Sequence, residues 1–156
     1  MKRRYDNVLI YTGIRWLPIS ELVYSETPMN LLCYNSQKDE TKIVKVTATK
    51  EKDAHMEKVH HLTLSTNDEV DLLDEPYLLY VNHQTRERTE VPDVNENSVR
   101  VFTFELNNLI MRSESRTRKV MKLEDKEVIK DTFIIDVEDN YYLLTKANED
   151  SLPVFK

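Results

Sequence analysis

Residues Val59 to Tyr80, VHHLTLSTNDEVDLLDEPYLLY, decide how this chain reads. Val59, His61 and Thr63 alternate with His60, Leu62 and Leu64, the period-two pattern of a half-buried β-strand. Ser65-Thr66-Asn67-Asp68 is a turn cluster in which Asn67 and Asp68 tolerate a positive φ. A second arm runs from Val70 through Leu72 and Leu73 to the apolar block Tyr77 to Val81. Pro76 removes a ladder donor there and marks a bend or an edge. The stretch is therefore a hairpin, and we expect it to carry most of the core. His61 reads as a hydrogen-bonded histidine on a half-buried strand, and His60 as solvent-exposed.

Similar patterns recur on both sides. Asn7 to Tyr11, Asn30 to Tyr34, Lys42 to Thr49, Val99 to Phe104, Lys119 to Leu123, Thr132 to Val137 and Tyr141 to Thr145 all read as strands. Pro18 opens Ile19 to Val23, at most two helical turns. Lys50 to Glu57 is polar and reads as a loop or distorted strand. His83 to Pro92 reads as a charged, mobile excursion, and Glu105 to Met111 as a short helix or a further strand. Gly13 is the only glycine, so Asn and Asp must supply most left-handed turn positions. Ten or more short strands with almost no helix predict an all-β fold. No linker or repeat divides residues 1–156, which read as one domain.

Composition narrows the function classes. No apolar run approaches the roughly 20 residues of a membrane helix, and the basic N-terminus MKRRYDN has no apolar run behind it to make a signal peptide. The single cysteine, Cys33, has no disulfide partner and belongs to no metal-spaced set, which suits a reducing cytoplasm. The expectation is no metal, no cofactor and no membrane. The net charge of −6, with both signs interspersed, argues against bulk nucleic-acid binding. Arg112, Arg116, Arg118, Lys119 and Lys122 form the one basic cluster, a solvated face or a phosphate or partner patch.

Four blocks stand in a recognisable order: Trp16-Leu17-Pro18-Ile19-Ser20-Glu21-Leu22 after a Thr12-Gly13 turn, Leu31 to Asn35, His61 to Val70, and Asp131 to Tyr142. Their order and spacing resemble the Hint fold shared by inteins and hedgehog autoprocessing domains, over nearly the whole chain and at the length of a mini-intein. The resemblance implies a compact Hint-like domain with pseudo-two-fold halves and neighbouring termini. It also implies three catalytic positions. Where an intein has its N-terminal Cys or Ser nucleophile, this chain has Lys2, counting back from Asp6. A Thr-x-x-His motif is matched by Leu72 and Glu75, and the terminal His-Asn pair by Val154 and Phe155. An upstream block histidine is replaced near Tyr141, and Cys33 matches a buried interior position. Under this resemblance the chain is expected to begin at its own Met and to end without an extein. The resemblance thus implies a degenerate, splicing-inactive domain with a protein partner not named by the sequence, of phage or mobile-element origin and in the host cytoplasm if viral.

Rival readings rest on other residues. His61, Asp74 and Glu75 are the candidates for residual self-processing or hydrolysis, and Asp71 joins Asp74 and Glu75 in a carboxylate cluster that reads as a solvated turn. His61-Leu62-Thr63 and His83-Gln84-Thr85 repeat a His-x-Thr tripeptide of two-histidine phosphodiesterases, but the residues between them cannot hold a lobe. Tyr77, Tyr80, Tyr141 and Tyr142 read as core and rim aromatics, and Trp16 as half buried.

Overall fold

The computed structural model describes residues 2–25, 28–35, 37–38, 40–73, 79–82, 85–88, 99–106, 113–138 and 140–156; over 79–82, 85–88, 99–106 and 113–119 the description is of the backbone. The elements in chain order are β1 (Lys2–Tyr5), β2 (Leu9–Tyr11), β3 (Trp16–Pro18), α1 (Ile19–Tyr24), β4 (Met29–Asn35), β5 (Glu40–Val46), β6 (Ala48–Leu64), β7 (Glu69–Leu73), β8 (Leu79–Asn82), β9 (Thr85–Arg88), β10 (Val99–Leu106), β11 (Ser113–Asp136), β12 (Tyr141–Lys146) and β13 (Val154–Phe155). Every described strand pairing is antiparallel. The all-β expectation holds. Among the described residues, no helix is long and apolar enough to cross a membrane.

Strand β11 is the spine. It pairs with β10 over 113–119, with β6 over 120–135 and with β1 over 133–136. Register shifts at Val120/Lys122, Lys130/Thr132 and Thr132/Phe133 interrupt its ladder with β6. Bulges of this kind bend a strand and increase its twist, which lets one strand serve several partners.

The expectation of short strands fails at β6 and β11, which are 17 and 24 residues long. Of the two readings of Lys50 to Glu57, the distorted strand holds: the segment is part of β6 beside the register shifts, and its charged side chains pair across strands. Arg4 holds Glu51 and Glu57, with N–O distances of 2.9 and 3.0 Å, and Thr132 donates to Glu51 at 3.1 Å. The Arg4 hydrogen bonds to Glu51 and Glu57 outweigh burial, raising its pKa and lowering those of both carboxyls.

Pro18 lies one residue before the helix, at the N-cap position with φ −66° and ψ 146°. The cap comes instead from Asn7, whose Oδ1 accepts from the Ser20 N–H at 3.1 Å. Ile19 and Leu22 turn the helix onto the core. Asn67, at φ 66°, is the only described non-glycine residue with a positive φ, as the turn chemistry requires; Asp68 does not share it.

The hairpin does not carry most of the core. The larger cluster joins Tyr5, Ile10, Leu17, Ile19, Leu31, Cys33, Phe133, Ile135 and Leu143 with their neighbours, outside the hairpin. The hairpin has its own smaller cluster of Leu62, Leu64, Val70, Leu72, Val120 and Val154. A third, aromatic cluster holds Tyr11, Tyr34, Tyr142, Leu144 and Phe155, with Trp16 half-buried against it. Each fully buried aliphatic side chain contributes about 1.5 to 3 kcal/mol. His60 is also buried, 7% exposed, against the expectation of solvent exposure. It stands opposite Asp125 on β11, and its Nδ1 pairs with Asp125 Oδ1 at 2.7 Å.

Both chain ends meet at one place. The buried Tyr5 hydroxyl donates to the Lys156 carbonyl at 3.0 Å, and Lys156 and Leu143 exchange backbone hydrogen bonds of 2.7 and 3.0 Å. Beside them the fully buried Arg3 donates to the carbonyls of Tyr141 and Glu138 and lies 5.1 Å from the Tyr142 ring centroid. Burial raises the pKa of Tyr5, so its hydroxyl keeps the donated proton.

Candidate functional site

The β6–β7 turn builds one wall of a cleft of about 500 Å³. The Leu64 N–H donates to the Asp68 carbonyl and the Asn67 N–H to the Leu64 carbonyl, each at 2.9 Å. Thr66 Oγ1 donates to Asp68 Oδ2 at 2.6 Å, and Asp68 Oδ1 accepts from the Leu152 N–H at 3.1 Å, tying the turn to the C-terminal segment. The hairpin register then sets His61 opposite Asp71 and Thr63 opposite Glu69. As a result the His61 ring is held between two carboxylates: Nδ1 to Asp71 Oδ1 at 2.5 Å and Nε2 to Glu69 Oε1 at 3.2 Å.

The opposite wall comes from distant segments. Lys130 on β11 reaches Asp6 Oδ2 at 2.9 Å and Asp71 Oδ2 at 3.2 Å. Lys156 Nζ donates to the Asp71 backbone carbonyl at 2.8 Å. Burial disfavours the charged Asp71, but the His61 hydrogen bond and the Lys130 charge overcome it and hold the carboxyl below its usual range. Burial likewise works against charge on Lys130, and Asp6 and then Asp71 outweigh it, so its pKa is raised. For Lys156 burial wins over Asp6 and Asp71, and its pKa is lowered. The arrangement is a compensated ionic network facing solvent. Both His61 ring nitrogens are engaged, which suits a structural clamp better than an available base. Among the described residues no group of three or more His, Cys, Asp or Glu side chains is placed to hold a metal ion.

Of the candidate hydrolytic residues His61, Asp74 and Glu75, the described His61 lines this cleft, and Asp71 of the carboxylate cluster and the turn residues Asn67 and Asp68 line it too. Lys2 is exposed on β1 opposite Asp136. Leu72 is buried in the hairpin cluster, and Asp74 and Glu75 lie outside the described residues, as does Pro76. Val154 and Phe155 are buried in two different clusters, with the Phe155 ring 5.2 Å from that of Tyr34. Tyr141 is buried in the larger core. Cys33 is buried there too, and burial pushes its thiol up to about 12. In the basic run, Arg112 lies outside the described residues. Arg116, Arg118 and Lys119 stand opposite Thr103, Val101 and Arg100 on β10, and Lys122 pairs with Glu124 at 2.5 Å. The expectations for Tyr77, for residues 83 and 84, for 89 to 92 and for 107 to 111 also fall outside the described residues; within these two stretches, 85–88 form strand β9 and 105–106 end β10.

Asp6, Glu69, Lys130 and Lys156 escaped the sequence reading as a set. One signal was available. Asp68, Glu69 and Asp71 put three acids within ten residues of His61 around one turn.

No protein-family model and no curated protein matches this sequence. Solved structures do. The chain is similar to the DnaX mini intein from Spirulina platensis, with a TM-score of 0.66 and 11% identity over 99% of this chain and 100% of that one. It is similar to a DnaB intein from Synechocystis sp., with a TM-score of 0.68 and 10% identity over 100% and 99% of the two chains. An intein from a hyperthermophile matches with a TM-score of 0.68 and 9% identity over the full length of both. At such identities the likeness concerns the path of the backbone, and this chain has the Hint fold of the inteins.

Proposed function

We propose that this Hint-fold domain has lost protein splicing and acts as a protein-interaction or structural module, of phage or mobile-element origin. The observation that carries this reading is the chemistry at the three matched positions. Lysine at position 2 cannot form the ester or thioester that begins splicing. Leu72 offers no hydroxyl, and Glu75 replaces the imidazole. Val154 and Phe155 have neither an imidazole nor a carboxamide, and both are packed into apolar clusters. The test is to fuse short reporter sequences to both ends and analyse the product by mass spectrometry. The fusion is expected intact; a ligated or cleaved product refutes the reading.

One observation favours a second reading, hydrolysis through His61 with Asp74 and Glu75: His61 lines an open cleft beside Asp71. Under that reading Glu75→Ala and His61→Ala each abolish turnover of a peptide or ester substrate, whereas an interaction module is indifferent to both. Binding of nucleic acid through Arg112 to Lys122 would show a steep salt dependence in a filter assay; the Lys122–Glu124 pair weakens that case.

A further inference from the structure

Strand β5 hydrogen-bonds to β4 on one side, and among the described residues its other edge has no partner. An apolar strip leads to that edge. Trp16 and Leu32 are half-buried against the aromatic cluster, and Leu32 stands opposite Ile43 in the β4–β5 register. Ile43 is 45% exposed, and its Cδ1 lies 3.3 Å from where a Cβ on Gly13 would stand. Gly13 is favoured by its φ of +94°, and a Cβ there would press against the end of the Ile43 side chain. Ile14 follows at 89% exposure.

The charge around the strip is mainly positive, with Glu40 the one exposed acid on β5 against Arg15, Lys42 and Lys45. Arg15, Lys42 and Lys45 are exposed, and among the described residues none of them has a carboxylate within ion-pair distance. Lys50, Lys122, Lys126, Lys130 and Lys146 all do. Lys2, Lys52 and Lys58 are likewise exposed without such a partner, but they lie on β1 and β6, whereas Arg15, Lys42 and Lys45 stand together beside an open edge and exposed isoleucines. Lysines on an edge also repel a second copy of the same edge, because like charges would face each other across the new ladder.

We infer that the β5 edge receives an extended acidic peptide from a protein partner, added as one more strand. The inference rests on the interaction-module reading and names the chemistry of its partner. Main-chain hydrogen bonds supply the affinity and side chains the specificity. Ile43 and Lys45 project to one face of β5 and Lys42 to the other. A matching strand therefore presents an acid opposite Lys42, an apolar residue opposite Ile43, any residue next, and an acid opposite Lys45.

The test is fluorescence anisotropy with the reporter-fused full chain. The probe is a fluorescein-labelled ten-residue peptide built on that acidic–apolar–Thr–acidic pattern. A scrambled peptide and one with lysine in place of each acid are the controls. Two further peptides are N-methylated at alternate residues, each blocking one edge of the strand. The patterned peptide is expected to bind saturably, with the scrambled and lysine peptides at least tenfold weaker. One N-methylated peptide should lose at least tenfold and the other should not. Lys42→Glu with Lys45→Glu, and separately Ile43→Asp, should each weaken binding tenfold or more. Equal binding of the scrambled peptide, or of both methylated peptides, overturns the inference. So does a dimer in sedimentation that Ile43→Asp disrupts, which would give the edge to a second copy. Should either variant misfold, the methylated pair on the unaltered chain decides. Absence of binding in an unprocessed fusion removes this inference alone, whereas processing of the fusion removes the module reading beneath it.

Discussion

The two aliphatic clusters of this domain are made of similar residues but do different work. The larger one draws fifteen described buried residues from both ends of the chain, the helix and the long strands. The hairpin cluster has six, drawn from β6, β7, β11 and β13, and β7 hydrogen-bonds only to β6 among the described strands. The ionic cleft opens beside the smaller cluster, where Asp71 alternates with Val70 and Leu72 along one short strand. Charged groups therefore collect where apolar packing is thin. The molecule keeps most of its apolar packing in one region and its paired ionic network in another.

The contrast can be broken by mutation. Phe133→Ala in the larger cluster should cost about 4 kcal/mol, whereas Leu72→Ala on the edge strand, where neighbours can collapse, should cost about 2 to 3 kcal/mol. Urea unfolding followed by circular dichroism measures both, and equal costs would dissolve the distinction. Asp71→Asn should cost about 1 to 2 kcal/mol by loosening Lys130 and His61 together. The pH dependence has a definite sign. Asp71 is depressed in the folded state, so its contribution is present above the usual carboxylate pKa of about 4 and is lost as pH falls through the lower folded value. The acid limb of the stability profile should flatten in Asp71→Asn. Asn67→Ala, which forces a Cβ with no local hydrogen-bonding group into a positive φ, should cost about 1 kcal/mol, and Asn67→Gly should be neutral or better. At the small end, Lys122→Ala should leave the melting temperature unchanged, because the Lys122–Glu124 pair is exposed.

The strand alternation around Leu62, Ile135 and Leu143, the Asn67 turn and the helix after Pro18 were legible because each is written in local periodicity or turn chemistry. The β6 segment from Lys50 to Glu57 was legible only as a choice between loop and distorted strand, because the partners that decide it, Arg4 and Thr132, lie 47 and 81 positions away from Glu51. The cleft was hidden for the same reason. Its Lys130–Asp6 pair joins residues 124 positions apart, and nothing near either one marks the other. His60 and His61 are adjacent and look alike in sequence. The alternation put them on opposite faces and the reading of His61 as a hydrogen-bonded strand histidine holds, but nothing local foresaw that Asp125 would give His60 a partner that keeps its imidazole buried.

The hydrogen bond from Tyr5 to Lys156 joins residues 151 positions apart, and the pairing of β1 with β11 likewise waits for the last quarter of the sequence. On a ribosome the first strand would therefore emerge long before its partner exists. Such a topology delays cooperative folding until synthesis is nearly finished and makes the search slow. The β6–β7 hairpin, closed by a four-residue turn, is the piece able to form while the chain is still being made, and it would serve as the waiting template for the rest.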